Sequence, residues 1–218
     1  MIIVVGLPAY ADSPEGEKCA GGLAVEVAAS ARRRGSEVEL VGKVGNDGAG
    51  DAVVVALGRL GVGHAALLRD PMLPTPVLAP TPVDDSAAEV DADTPEGRLL
   101  PEDPAARPGL DAGDIDLALK FLPQSGVVVL AGPLADSAVA AAVEGAAFAG
   151  AHLIVLVQPG SMPPAIPAEA TVLETPPDDD GSFGRMVGLF AGGLDTGADA
   201  GVAFKEAVSA AGWESAAE

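Results

Sequence analysis

The chain has 218 residues, of which 49% are apolar and only 3% aromatic, so it suits one α/β domain with a core of small aliphatic side chains. Its 32 acidic and 12 basic residues give a formal net charge of −20, which argues against nucleic acid and anionic membranes as partners. The single cysteine excludes a disulfide framework, and the lack of a signal-like leader or a membrane-length apolar run predicts a cytoplasmic protein.

The first sixty residues predict alternating strands and helices. Residues 1–6 form a β-branched run that is typical of a buried parallel strand, and a loop is expected to follow as far as residue 20. A helix is predicted over residues 21–34, with arginines in its last turn and Gly35 at its end. A strand over residues 37–44 and a helix over residues 49–60 follow, and this alternation indicates a βαβ unit.

Residues 70–109 have a different character. They hold nine of the nineteen prolines, and eight acidic residues lie between Asp84 and Asp103. Proline at this density excludes helix and central strand. We expect an extended flap with edge strands around Val77–Leu78, or a mobile solvated loop. We favour the interpretation as a partly ordered lid rather than as a linker between two domains.

The α/β pattern then resumes. A helix is predicted over residues 114–122 with Asp114 as its N-cap, and a buried strand over residues 126–131. An alanine-rich helix over residues 137–149, a buried strand over residues 152–157 and a short strand over residues 170–173 follow. Residues 182–211 read as one or two helices, broken around residues 192–197.

Few residues carry the patterns of known chemistry. The phosphate-binding loop, the dinucleotide fingerprint and metal-ligand spacings are all missing, so no protein-held metal is predicted. Gly21 and Gly22 precede the first helix, where backbone approaches a ligand closely and exposes N–H groups to it. Asp12 lies beyond the first strand, where it would accept hydrogen bonds from substrate hydroxyls or form an Asx turn. Asp47 is expected to cap the second helix.

A second acidic group, Asp178-Asp179-Asp180, precedes the last predicted helical segment. These carboxylates would bind Mg²⁺ through phosphate oxygens, or they form a solvated cap that the helix dipole favours.

The segment from Gly21 to Gly50 resembles the ribokinase-type (PfkB) carbohydrate kinases. That family has a glycine-pair helix start, a small-residue helix ending in Arg-x-Gly, and a strand that runs into G-x-V-G-x-D-x-x-G. Here Gly21-Gly22, Arg33, Gly35 and the run from Gly42 to Gly50 match that pattern without a gap. The resemblance implies a degenerate, C-terminally shortened member of the family. The fold would be one three-layer α/β/α sandwich over residues 1–218, with a mainly parallel sheet and residues 70–109 as a small proline-rich lid.

The resemblance also implies a function. It predicts phosphorylation of a sugar or nucleoside hydroxyl with Mg-ATP, with Asp12, Gly21, Gly22 and Glu26 at the substrate and a homodimer through the lid. Glu26 stands where the family has asparagine, so a charged carboxylate replaces the neutral amide that contacts the sugar in that family.

The family's G-A-G-D turn, which holds the phosphate charge and supplies the base, is missing. Pairing Ser182-Phe183 with the family's Ser-Phe puts Gly181 at the base position, whereas one inserted residue puts Asp180 there. A second alignment treats Thr175 to Asp178 as the family's N-x-x-E region, so that the nucleotide half is absent. Two hypotheses follow: a kinase with Asp180 as its base, or a non-catalytic relative that binds a polyol or forms oligomers. A nucleotide-binding oxidoreductase has only the βαβ pattern in its favour.

Overall fold

The computed structural model describes residues 1–12, 18–78, 104–122, 124–161, 166–177 and 181–212. The strands in these ranges are β1 Ile2–Gly6, β2 Ala9–Asp12, β3 Lys18–Gly21, β4 Val38–Gly45, β5 Leu67–Asp70, β6 Val77–Leu78, β7 Val127–Ala131, β8 His152–Val157 and β9 Thr171–Glu174. The helices are α1 Leu23–Arg33, α2 Gly48–Arg59, α3 Ala112–Phe121, α4 Asp136–Ala149, α5 Ser182–Asp195 and α6 Ala200–Ala211, with a short 3-10 helix at Pro104–Ala106.

Six strands form one parallel sheet in the order β5-β4-β1-β7-β8-β9. Helices α1, α5 and α6 pack on one face of it, while α3 and α4 pack together on the other. This arrangement confirms the predicted α/β/α sandwich. In the described part of the chain, no helix combines the length and the apolar character needed to cross a membrane.

The central strands are apolar on both faces because both faces are covered by helices. In β1, Ile2 and Val4 belong to the cluster beneath α1 and α5, while Ile3 and Val5 belong to the cluster beneath α3 and α4. All four side chains are fully buried. A strand buried on both sides reads in sequence as a continuous apolar run, which is why the β1 run is detectable from sequence alone.

A second, three-stranded sheet in the order β3-β2-β6 lies apart from the main sheet. Strand β2 pairs with β3 in the antiparallel sense and with β6 in the parallel sense. The predicted edge strand at Val77–Leu78 is confirmed, but the loop predicted up to residue 20 is wrong, since it contains β2 and β3. These four-residue strands are too short to show an alternating pattern. The remainder of the predicted lid, residues 79–103, lies outside the described residues.

Helices α1 and α5 run side by side at very close range. Gly184, Gly188 and Gly192 lie four residues apart along α5 and face α1. A Cβ on Gly188 would lie far inside van der Waals distance of the Val27 carbonyl oxygen. The missing side chains let the two backbones approach, and the buried hydroxyl of Ser30 donates a hydrogen bond of 2.8 Å to the Arg185 carbonyl across the contact.

Three local predictions need correction. Asp111, not Asp114, caps α3, and Asp114 occupies the reciprocal position of a capping box. Strand β5 was not predicted, because its sequence, LLRD, is half charged. The break between α5 and α6 falls at residues 196–199, later than predicted, because Gly193 stays helical and packs against Ala203.

Candidate functional site

A cleft opens at the carboxyl edge of the main sheet, where the loops after β1, β7, β8 and β9 meet the start of α1 and the small sheet. Ligands of open α/β sheets bind at this edge. Its walls come from all of these segments: Leu7, Ala9, Gly22, Leu23, Ala24, Leu78, Arg107, Ala131, Gly132, Pro133, Gln158 and Thr175.

Gly22 brings the start of α1 into the cleft wall. Its φ of 95° lies in the left-handed region that glycine adopts freely, and no side chain caps the helix that follows it in the described part of the chain. Gly21 precedes it in β3, where a Cβ would lie 2.8 Å from Leu78 of β6. Gly22 therefore lines the cleft, whereas Gly21 allows the small sheet to close against itself. A contact of either glycine with a substrate stays a prediction.

The polar groups of the cleft are neutral or cationic. Thr175 is buried and follows β9, and its N–H donates a hydrogen bond of 2.8 Å to the Val157 carbonyl. Gln158 follows β8, and Arg107 reaches the cleft from the segment before α3. An amide, a hydroxyl and a guanidinium together supply donors and acceptors for the hydroxyl groups of a small polar ligand. The sequence did not indicate Gln158 and Arg107 as residues of the cleft. They lie in loops that are far apart in the chain and meet only at the edge of the sheet, so no local sequence pattern marks them.

Asp12 ends β2 and pairs in register with Lys18 of β3. The backbone of Asp12 is thus part of the small sheet beside the cleft, while its side chain lies outside the described part of the structure. The predicted contact between Asp12 and a substrate hydroxyl stays a prediction.

Glu26 lies one turn along α1 from Gly22, and its carboxyl group reaches the beginning of α5. A Cβ on Gly184 would lie 2.7 Å from Glu26 Oε2, and one on Gly181 would lie 3.4 Å from the Glu26 carboxyl carbon. Oε2 has no contact with solvent. The N-terminal turn of a helix attracts anions because its first N–H groups point outward and the dipole is positive there. The Glu26 carboxylate occupies that position.

Gly181 precedes α5 with a φ of 70° and lies against Glu26 of α1, so the helix that follows the glycine pair and the start of α5 are neighbours. Asp180, the candidate base, lies outside the described residues together with Asp178 and Asp179. Its assignment stays a prediction.

The residues described at the start of α5 do not fit a nucleotide phosphate as they are placed. A phosphate bound at this turn would need the space that the Glu26 carboxylate fills. The negative charges of the phosphate and of the carboxylate would also repel each other. The described ranges also contain no group of three or more histidine, cysteine or acidic side chains arranged to hold a metal ion.

The glycine-rich run after β4, which carries much of the family resemblance, has a structural role. A Cβ on Gly45 would lie 2.5 Å from the Thr75 backbone nitrogen, and one on Gly42 would lie 2.7 Å from the Gly6 carbonyl oxygen. These glycines let β4 pass close to the loop after β1 and to the segment that leads into β6. The run positions β6 and lies outside the cleft wall.

Asp47 has the capping role that was predicted. Its carboxylate accepts hydrogen bonds from the Gly50 N–H at 2.8 Å, the Thr75 N–H at 2.8 Å and the Thr75 hydroxyl at 2.6 Å. Burial alone would raise the pKa of Asp47, but the bonds from Thr75 and Gly50, with nearby Arg69, outweigh it and lower the pKa below its usual range. Asp47 thus joins the start of α2 to the segment that leads into β6.

Comparison with solved structures identifies the fold. The chain superposes on a candidate ribokinase II from Escherichia coli in complex with ATP and Mg²⁺ with a TM-score of 0.68, at 16% identity, covering 96% of this chain and 91% of that one. For Arabidopsis thaliana ribokinase complexed with ribose and ATP, the TM-score is 0.65 at 17% identity, with 96% and 90% covered. For aminoimidazole riboside kinase from Salmonella enterica, it is 0.64 at 17% identity, also with 96% and 90% covered. No family model matches the sequence, and no curated protein matches it.

Proposed function

Because the chain has the fold of ribokinase-type sugar kinases, we propose that it binds a small sugar or nucleoside polyol in the cleft at the carboxyl edge of the sheet and does not transfer phosphate. The single observation that carries this proposal is the position of the Glu26 carboxylate against the first turn of α5.

Binding of a neutral polyol is supported by the make-up of the cleft. Thr175, Gln158 and Arg107 offer donors and acceptors, and the backbone at Gly22 and Gly132 lies open beside them. Apolar side chains such as Leu23 and Leu78 complete the wall and suit the carbon face of a sugar or nucleoside ring. Asp12, at the edge of this cleft, would accept a hydrogen bond from a ligand hydroxyl.

Loss of phosphoryl transfer is supported by electrostatics. The transfer of a phosphoryl group depends on positioning and on cationic or N–H groups that stabilise its charge. Here the helix start that would supply such N–H groups faces a carboxylate of the chain itself. The three aspartates that precede α5 in the sequence add further negative charge to the same segment.

Phosphoryl transfer with Mg-ATP is the second candidate, and the same geometry favours it in one respect. The Glu26 carboxyl carbon lies close to the space that a side chain at position 181 would occupy. In the alignment that puts Gly181 at the base position, Glu26 would replace the missing carboxylate and accept the proton of a substrate hydroxyl. This function requires Glu26 to move away from α5 when a phosphate binds.

Thermal unfolding with and without ligands separates the two candidates. We expect ribose or a ribonucleoside to raise the midpoint, Mg-ATP to leave it unchanged, and no ADP to form when both are present. Thr175→Val should remove the polyol effect, while Thr171→Val, at the far end of β9, serves as the matched control. Polyol-dependent ADP release would establish the second candidate, and no stabilisation by any polyol would overturn the binding proposal.

A further inference from the structure

A second cleft lies away from the carboxyl edge, between α1, α5 and α6. It measures about 250 Å³ and is lined by Ser30, Arg33, Arg34, Arg185, Leu189, Ala210 and Ala211. Three of the twelve basic residues of a chain with a net charge of −20 thus line one small cleft. On such an acidic protein, a group of three arginines at one cleft makes the local charge opposite in sign to that of the chain as a whole.

Helix-dipole effects explain only part of this cluster. Arg33 belongs to the last turn of α1 and Arg34 caps it, where cations are favourable. Arg185, however, lies in the first turns of α5, where the positive end of the dipole disfavours a cation. It lines the cleft from a second helix, so the three arginines come from two elements that meet only in the tertiary structure.

The cleft is built on a fixed base. The Ser30 side chain is 4% exposed, and its hydroxyl donates to the Arg185 carbonyl at 2.8 Å, which locks α1 to α5 beneath the arginines. Leu189, Ala210 and Ala211 supply the apolar wall of the cleft. Of the described acidic side chains, Glu206 pairs with this cluster, at 3.3 Å from Arg34, and 57% of that carboxylate side chain is exposed.

We infer that this cleft is a binding site for a compact phosphate monoester. Guanidinium groups bind tetrahedral oxyanions through parallel N–H donors, and several of them together favour a dianion over a carboxylate. The apolar wall suits the uncharged body of an ester, and the volume, just below the usual range for small-molecule pockets, limits the ligand to a compact one. The site is distinct from the polyol cleft, which shares no lining residue with it.

Isothermal titration calorimetry with phenyl phosphate and with inorganic phosphate tests this site. Phenyl phosphate has no hydroxyl groups for the polyol cleft, and phenol serves as the uncharged control. We expect phenyl phosphate to bind more tightly than inorganic phosphate, and phenol not to bind. Equal affinities of the two anions would identify free phosphate as the ligand and would overturn the ester assignment.

Variants locate the binding on the protein. Arg33→Gln and Arg185→Gln should each weaken binding about tenfold, since each removes a charge-assisted contact. Both side chains are exposed, and the bond from Ser30 involves only the Arg185 backbone, so the fold should be retained. Arg59→Gln, at the exposed end of α2, carries the same charge change and should leave the affinity within about twofold.

Glu206→Gln provides the opposite test. It removes the carboxylate that pairs with Arg34 and should tighten binding several-fold. Binding that is absent, or that does not respond to Arg33→Gln and Arg185→Gln, would overturn the inference. The result does not depend on whether the protein binds a polyol, because this test uses phenyl phosphate and inorganic phosphate, whereas the test of polyol binding uses ribose or a ribonucleoside.

Discussion

The carboxyl carbon of Glu26 on α1 lies 3.4 Å from the point that a Cβ on Gly181 would occupy at the start of α5. The acidic group at this junction therefore comes from the first helix, and the residue before α5 has no side chain. Each residue makes room for the other, so we expect substitutions at the two positions to be strongly coupled.

Gly181→Asp should destabilise the protein by about 1–3 kcal/mol, because it places a second carboxylate against Glu26 on a backbone with positive φ. Glu26→Asn combined with Gly181→Asp should recover part of this loss. Urea unfolding of both single variants and the double variant gives the coupling energy. Additive effects would show that the two side-chain positions do not share one space.

The hydrogen bonds of Asp47 predict an acid-sensitive contribution to stability. Asp47→Ala should cost about 2 kcal/mol, because it removes the N-cap of α2 and leaves the Thr75 groups without their acceptor. Asp51→Asn, which affects only an exposed ion pair with Arg69 on the same helix, should change the unfolding free energy very little.

The sign of the pH effect follows from the lowered pKa of Asp47. The folded state binds the proton less readily than the unfolded state does, so this contribution is fully present above the unfolded pKa near 4. It is lost as the pH falls through the lower folded pKa. Urea unfolding between pH 2 and pH 6 should show a shallower acid decline for Asp47→Asn than for the parent chain. Parallel curves would contradict the assignment.

The close approach of α1 and α5 depends on Gly188. Gly188→Ala should destabilise the protein by about 1–3 kcal/mol, because the added methyl group would overlap the Val27 backbone and Ser30 Cβ. Gly58→Ala, in α2, is the matched control, since its Cβ would meet nothing closer than His64 at 3.9 Å. That change should stabilise the helix by about 0.5–1 kcal/mol. Thermal unfolding of the two variants should therefore shift in opposite directions.

An ion pair joins β4 to α3. Lys43 Nζ contacts Asp114 Oδ2, and the two side chains are only 16% and 18% exposed. Lys43→Met should cost about 1–2 kcal/mol, because it leaves the Asp114 carboxylate partly buried without its cation. Lys120→Met, on the exposed surface of α3, should have little effect on the urea midpoint. An equal loss in both variants would mean that the pair contributes nothing specific.

Much of the fold was predictable from local pattern. The apolar runs of β1, β7 and β8 are continuous because helices cover both faces of these strands. Gly35, Gly61 and Gly150 have positive φ and stand where a helix, or the turn after it, ends. Asp47 was predictable as a cap because capping acts over three residues. The β2–β3 hairpin and β5 escaped prediction because short or half-charged strands gain their stability from their neighbours in the sheet.

By itself, the sequence determined the α/β alternation, the glycine-rich run that resembles the ribokinase-type kinases, and the acidic character of the chain. Only the tertiary structure decided what those features do. It gave the glycine run a packing role beside Thr75, placed Glu26 at the start of α5, and gathered Arg33, Arg34 and Arg185 into one cleft. The physical reason is distance along the chain. Capping, helix ends and strand burial act over a few residues, whereas Glu26 and Gly181, or Arg33 and Arg185, meet only when two helices some 150 residues apart pack side by side.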